Sequence, residues 1–92
     1  MARADEGRDV QQEIAEIKAR LALLTLREQE VLALLLDGLP TKLIARHLGI
    51  STRTIEHHRA AVMQKMQARN ISHLVRMTLN IGHLNNADNN EK

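Results

Sequence analysis

Two adjacent histidines, His57 and His58, follow a Gly-x-Ser turn and are the first residues whose types and spacing could do chemistry. Paired imidazoles occur in metal sites, in proton transfer and in phosphate binding. Neighbours on a helix point about 100° apart, so these two cannot hold one ion. Metal-binding histidine pairs on helices prefer i, i+4 spacing, which no two of the five histidines have. With no cysteine and no Gly-rich phosphate loop either, we expect neither a metal, nor a cofactor, nor an enzyme.

The charge of the chain is unevenly distributed. Residues 38–84 carry seven lysines and arginines against Glu56 alone, whereas residues 1–37 carry five against eight acidic residues. A concentrated basic segment favours a polyanionic partner, and the alternative is a solvated basic face. The sequence contains no Phe, Tyr or Trp, which removes the stacking platforms of most single-strand and RNA binders.

The length and hydropathy of the chain place these residues in one small domain. A chain of 92 residues suffices for one domain and little more. It has neither a signal-like N-terminus nor an apolar run long enough to span a bilayer. We therefore expect a cytoplasmic protein without membrane contact.

Apolar residues recur at helical spacing throughout, which predicts an all-α fold of five helices. Thr25 opens a capping box with Glu28, Gly38 is the expected end of that helix, and Ser51 and Ser72 are expected to cap later helices. The helices are expected at about 9–24, 25–37, 41–48, 52–67 and 72–81. We divide the chain into a linker helix (1–24), a helix-turn-helix domain (25–82) and a disordered tail (83–92).

The first helix carries an apolar heptad stripe. Val10, Ile14, Ile17 and Leu21 repeat with spacings of four and three residues. Such a stripe is typical of a short parallel coiled coil, but about two heptads are too few to hold one alone. It equally fits packing against the chain's own domain.

The third and fourth helices, joined by a Gly-containing turn, have the pattern of a helix-turn-helix. In that motif the second helix enters the major groove of DNA with its N-terminal residues against base edges. Ile55, Val62 and Met66 are expected to face inward. The outward positions of the helix are then 53, 56, 57, 60 and 64.

Three segments in this order resemble the LuxR-type DNA-binding domain of the FixJ/NarL response regulators, and the FixJ branch most closely. They are "LTLREQEVL" (24–32), "GLPTKLIARHLGISTRTIEHHR" (38–59) and "VMQKMQAR" (62–69). The resemblance implies a four-helix domain that binds double-stranded promoter DNA, usually as a homodimer, with RNA polymerase as a further partner. It also implies a preceding receiver domain, for which residues 1–24 are too few, so we expect a fragment or a short stand-alone member.

The resemblance also assigns roles to individual residues. The family's base-facing positions match Glu56, His57 and Ala60, and the outward face adds Arg53. The glutamate could accept from a cytosine amine and the histidine could donate to guanine or phosphate; a solvated acid, or one paired with Arg53 or Arg59, is the alternative for Glu56. Phosphate contacts carried over from the family, or added on charge and position, are Lys42, Thr54, His58, Arg59, Lys65, Arg69 and Asn70.

The fifth helix is the expected dimer surface. With Leu74, Val75 and Thr78 in the core, the residues left in an exposed row are His73, Met77 and Ile81. The resemblance implies dimerisation through this helix, with the stripe of the first helix as a second candidate surface. The alternative is that Ile81 packs back on the first helix.

Two other hypotheses compete with that of a LuxR-type DNA-binding domain. A helical protein-interaction module would use the first and fifth helices, with DNA incidental. Region 4 of sigma factors shares the helix-turn-helix, but typically lacks the fifth helix, whose start lies in "ARNISHLVR" (68–76) here.

Overall fold

The computed structural model describes the backbone of residues 2–90 and the side chains of residues 10–79 and of Ile81. Within that part the fold is all-α, as predicted, and no strand is present. The five helices are α1 (Ala2–Leu21), α2 (Leu26–Leu36), α3 (Thr41–Leu48), α4 (Thr52–Met66) and α5 (Ile71–Asn90).

The predicted caps of α2 and α4 are confirmed. The Thr25 hydroxyl accepts from the Glu28 amide at 3.1 Å while the Glu28 carboxylate accepts from the Thr25 amide at 3.0 Å. At the start of α4 the Ser51 hydroxyl oxygen accepts from the Thr54 amide at 3.1 Å. Each bond satisfies an amide that the helix itself leaves unpaired, so both helices begin where the sequence places them.

The ends of α1 and α5 differ from the prediction. α1 begins at Ala2 rather than near residue 9, and α5 continues through Gly82 to Asn90. The disorder expected for residues 83–92 stays a prediction, although the helical backbone extends to residue 90; residues 91 and 92 lie outside the described residues. A glycine inside a helix costs only about 1 kcal/mol relative to alanine, and it ends the helix only where the backbone turns left-handed.

The cap of α5 is Asn70 instead of the predicted Ser72. The Asn70 side-chain oxygen accepts from the His73 amide at 2.8 Å, and Ser72 lies inside the first turn of the helix. Asparagine is as good a cap as serine. The sequence offers both, so propensity could not decide between them.

Two clusters of buried side chains hold the helices together, and α4 contributes to both. Its N-terminal half places Ile55 in a cluster from α2 and α3, and its C-terminal half places Val62 and Met66 in a cluster that includes α1 and α5. All three side chains are buried, as predicted. α4 is thus fixed along its length.

The two apolar surfaces predicted for dimerisation cover each other within one chain. Ile14 and Ile17 of α1 share a buried cluster with Met77 and Ile81 of α5. The expected exposure of Met77 and Ile81 is wrong, because they are only 6% and 7% exposed. Leu21 packs against the same cluster.

Candidate nucleic-acid interface

A left-handed glycine joins α3 to α4. Gly49 has φ +71°, a conformation that side chains disfavour, and the next amide, of Ile50, donates back to the Ala45 carbonyl at 3.0 Å. Ile44 and Ala45 are buried in the same cluster as Ile55. The turn and this shared core set the angle at which the first turns of α4 leave the domain.

Four side chains form one exposed face on the N-terminal half of α4. Arg53, Glu56, His57 and Ala60 are all exposed and together line a shallow hollow of about 270 Å³. Gln64, one turn further along, is also exposed. The four residues predicted to read bases therefore lie together, and the apolar side of the helix faces the core.

The Glu56 carboxylate is available on this face. Among the described residues it accepts no hydrogen bond and forms no ion pair, so neither Arg53 nor Arg59 neutralises it. A single negative charge amid a basic face is costly close to phosphates. It suits an amine donor on a base edge better than the backbone of a duplex.

Three phosphate candidates lie on the flanks of this face. Lys42 is exposed in the first turn of α3, and Thr54 is exposed with its hydroxyl oxygen accepting from the Ser51 hydroxyl at 2.9 Å. Arg59 is half-buried and lines a hollow of about 210 Å³ with Pro40 and Thr41 at the start of α3. No side chain caps the N-terminus of α3, and such an end favours an anion.

His58 is half-buried on the flank of α4 that also carries Thr54, one turn further along the helix. It makes no hydrogen bond to another described residue. It is thus separated from His57 as the helix geometry predicts, with one imidazole on the exposed face and the other at the edge of the core.

The residues around the start of α5 bond to one another. Arg69 and Asn70 are exposed, while the His73 ring accepts from the Arg69 amide through Nδ1 at 3.0 Å. This bond needs the Nδ1 atom unprotonated. The sequence predicts His73 for a dimer surface, whereas within the chain it is part of the cap of α5. The side-chain amide of Asn70 can still donate hydrogen bonds.

Lys65 is half-buried, and its ammonium is bonded to groups of the same chain. Its ammonium donates to the Glu28 carboxylate at 2.7 Å and to the Leu23 carbonyl at 3.3 Å. Glu28 is buried. The hydrogen bond from Lys65, and after it that from the Thr25 amide, hold the pKa of the Glu28 carboxyl below its usual value in spite of burial.

Sequence reasoning missed two members of this arrangement. Glu28 was recognised only as a capping residue, because its partner lies 37 positions away. Arg20 was not singled out, although its guanidinium donates to the Met66 carbonyl at 3.2 Å, across 46 positions. The available signal was weak: a basic residue near the end of α1 and one near the end of α4.

The described part of the chain contains neither a metal site nor a membrane-spanning helix. No three His, Cys, Asp or Glu side chains among the described residues come close enough to hold a metal ion. None of the described helices has both the length and the apolarity needed to cross a membrane.

Comparison with known proteins places the domain in a family. The profile of the luxR family of bacterial regulatory proteins matches residues 22–78. The transcriptional regulatory protein FixJ of Rhizobium meliloti is 55% identical over 64 residues, 70% of this chain and 31% of the relative. The C4-dicarboxylate transport regulator DctR of Rhodobacter capsulatus is 53% identical over 76 residues, 82% of this chain and 39% of the relative.

Solved structures agree with this assignment. Full-length FixJ from B. japonicum superposes with a TM-score of 0.72 at 49% identity, over 78% of this chain and 36% of that protein. The C-terminal transcriptional activator domain of FixJ from Sinorhizobium meliloti gives 0.61 at 55% identity, over 70% of this chain and 81% of that domain. The chain spans between 31% and 39% of the length of the two curated relatives described above. It belongs to the luxR family of bacterial transcriptional regulators, whose helix-turn-helix domains bind DNA and are not enzymes.

Proposed function

We propose that this domain binds a specific double-stranded promoter sequence with α4 in the major groove. The observation that carries the proposal is the exposed face of Arg53, Glu56, His57 and Ala60 on the N-terminal half of α4. An α-helix with its side chains fills the width of the groove, and the first turns of the second helix meet base edges. The buried apolar side of α4 keeps that face outward.

Each member of the face has a distinct chemical preference. Glu56 accepts from a cytosine N4 amine, Arg53 donates to guanine O6 and N7, and His57 donates to guanine or to a phosphate. Ala60 offers only a methyl group, which suits a thymine methyl. We infer that one C·G pair and one G·C pair lie close together in each half-site.

The basic and polar residues around the face hold the phosphates. We propose this role for six residues: Lys42, Thr54, His58, Arg59, Arg69 and Asn70. Such contacts fix the register of a protein on the duplex but carry no sequence information. They make the affinity depend on salt, with a slope of about −0.9 per neutralised phosphate.

We propose that the domain acts as a homodimer on half-sites about one helical turn apart. Because Met77 and Ile81 are covered by α1, the apolar surface left on α5 among the described side chains includes Val75, half-buried, and Leu79, 61% exposed. These two side chains lie one turn apart on the same side of the helix. We propose that a second copy packs there.

The wider setting follows from the relatives. We infer that the domain is the effector part of a two-component regulator, that a receiver domain controls it in full-length proteins, and that RNA polymerase is contacted at the promoter. Action on the bacterial chromosome places it in the cytoplasm. Relatives that match it include regulators described as transcriptional and as response regulators.

Selection of binding sites from random duplex DNA tests the proposal. The wild type should enrich one site, and Glu56→Ala and His57→Ala should each enrich a different one. Lys42→Ala is the matched control: it should keep the wild-type site, bind all sequences more weakly and lower the salt slope by about one. If the wild type enriched nothing, DNA binding would be refuted; if both α4 variants kept the wild-type site, the base-reading assignment would be.

A further inference from the structure

The ends of α1 and α4 are joined by hydrogen bonds in both directions. Arg20, in the last turn of α1, donates to the carbonyl of Met66, the last residue of α4. In return Lys65 of α4 donates to the carbonyl of Leu23, just after α1, and to the Glu28 carboxylate. We call Arg20, Glu28 and Lys65 the clamp.

The residues around the clamp are held in place by other contacts. The Glu28 carboxylate also accepts from the Thr25 amide at 3.0 Å, as part of the cap of α2. Leu24 and Met66, next to the bonded positions, are buried in one apolar cluster. Lys65 therefore ties α4 to the α1–α2 turn at a fixed point.

Lys65 lies outside the face proposed to read bases. At about 100° per residue, it lies about 180° around α4 from Glu56, about 140° from Ala60 and about 80° from His57. It shares a flank with Thr54 and His58 but lies two to three turns further from the N-terminus of α4. Two of its three donors are used inside the chain. The family resemblance assigns this lysine a phosphate contact, whereas its surroundings match a structural ion pair.

We propose that Lys65, Glu28 and Arg20 are positioning residues, which set the orientation of the recognition helix on DNA without touching the duplex. The inference rests on the DNA-binding function proposed above. Arg20 lies before the segment that the family profile matches, residues 22–78. The clamp thus makes the orientation of α4 depend on its contacts with α1.

The test is the salt dependence of DNA binding, measured by fluorescence anisotropy with a labelled duplex recovered by selection. Lys65→Met should weaken DNA binding by about 3- to 10-fold at every salt concentration and leave the slope of affinity against salt unchanged. The loss is expected because Lys65 is coupled to Glu28, so its removal also releases the contact that orients α4. Glu28→Gln should weaken binding to a similar extent. The double variant Lys65→Met/Glu28→Gln should bind DNA no more weakly than either single variant. Lys65→Arg, which keeps the charge, should bind DNA about as well as the wild type.

The double variant is the cleanest probe, because it removes one positive and one negative charge and so preserves the net charge. Replacing a partly buried ion pair by neutral groups is often tolerated by the fold, and far-ultraviolet circular dichroism establishes which variants are folded at the assay temperature. Arg20→Met should weaken binding in the same way. Lys42→Met is the matched control, a lysine exposed beside the duplex, and should lower the slope by about one.

The possible results separate the two proposals. If Lys65→Met lowers the slope by about one while Lys42→Met does too, DNA binding stands and the clamp is refuted, because Lys65 then contacts a phosphate. A Glu28→Gln variant that binds as well as or better than the wild type also overturns the clamp. If the wild type shows no salt-dependent DNA binding, the proposed function fails and the clamp's role fails with it.

Discussion

Replacing Ile17 by alanine should destabilise the domain, because the structure makes α1 part of the core. Ile17 is 7% exposed and lies in one cluster with Met66 and Met77. The change removes three carbon groups, each contributing about 0.8 kcal/mol when buried. With the cavity left behind, the free energy of unfolding should fall by about 2 to 4 kcal/mol. A domain of this size has about 5 to 14 kcal/mol in total. At about 4 to 8 °C per kcal/mol, the melting temperature should drop by about 8 to 32 °C.

Urea unfolding followed by far-ultraviolet circular dichroism measures this change, since the chain has no aromatic residue to report by fluorescence. Val10→Ala is the control on the same stripe. Val10 is 56% exposed, and its replacement should change the free energy of unfolding by less than about 0.5 kcal/mol. If Ile17→Ala were no more destabilising than Val10→Ala, α1 would be a detached linker and the packing of α1 against α5 would be refuted.

Three further perturbations test the cap, the ion pair and the dimer surface. Ser51→Ala, which removes the cap of α4, should lower the free energy of unfolding by about 1 kcal/mol in urea titrations. Ser72→Ala should have little effect, and equal losses for the two variants would contradict the assignment of Asn70, rather than Ser72, as the cap of α5. Because folding lowers the pKa of Glu28, its contribution to stability is full above about pH 4.3 and is lost as pH falls through the folded-state pKa. Glu28→Gln should therefore flatten the acid limb of stability against pH, and an unchanged limb would argue against the pair. In sedimentation velocity Leu79→Glu should shift dimers to monomers while Leu26→Glu, 78% exposed on α2 in the wild type, should not; a dimer that survives Leu79→Glu would exclude that surface.

The features of α4 that could be predicted from the sequence are those decided by neighbouring residues. Ser51 can cap the helix because its hydroxyl reaches an amide three residues on. The spacing of Ile55, Val62 and Met66 defines an inward side, and the structure buries all three. The outward side then follows by geometry, so the candidate face needed no tertiary information.

The partner of an apolar stripe could not be predicted in the same way. Periodicity shows that α1 has an apolar side and that α5 has a second apolar row, but it does not say what covers either of them. The sequence pattern predicts an exposed Met77, because Leu74, Val75 and Thr78 already supply a core side of the helix. The pairing of Lys65 with Glu28 was equally hidden, since the two residues lie on helices that meet only in the folded chain.

The mutual cover of α1 and α5 limits how this domain can assemble. For a coiled coil through α1, Ile14 and Ile17 would have to leave the core, and their removal would expose Met77 and Ile81 as well. Each of these four side chains contributes about 1.5 to 3 kcal/mol when fully buried, so release of α1 would cost about 6 to 12 kcal/mol. That cost is comparable to the whole stability expected for a domain of this size. Dimerisation through the α1 stripe therefore requires a partner that replaces nearly all of that burial, whereas packing through Val75 and Leu79 requires no unfolding. The same energy would keep α1 docked in the proposed complex of α4 with DNA, as the proposed role of the clamp requires.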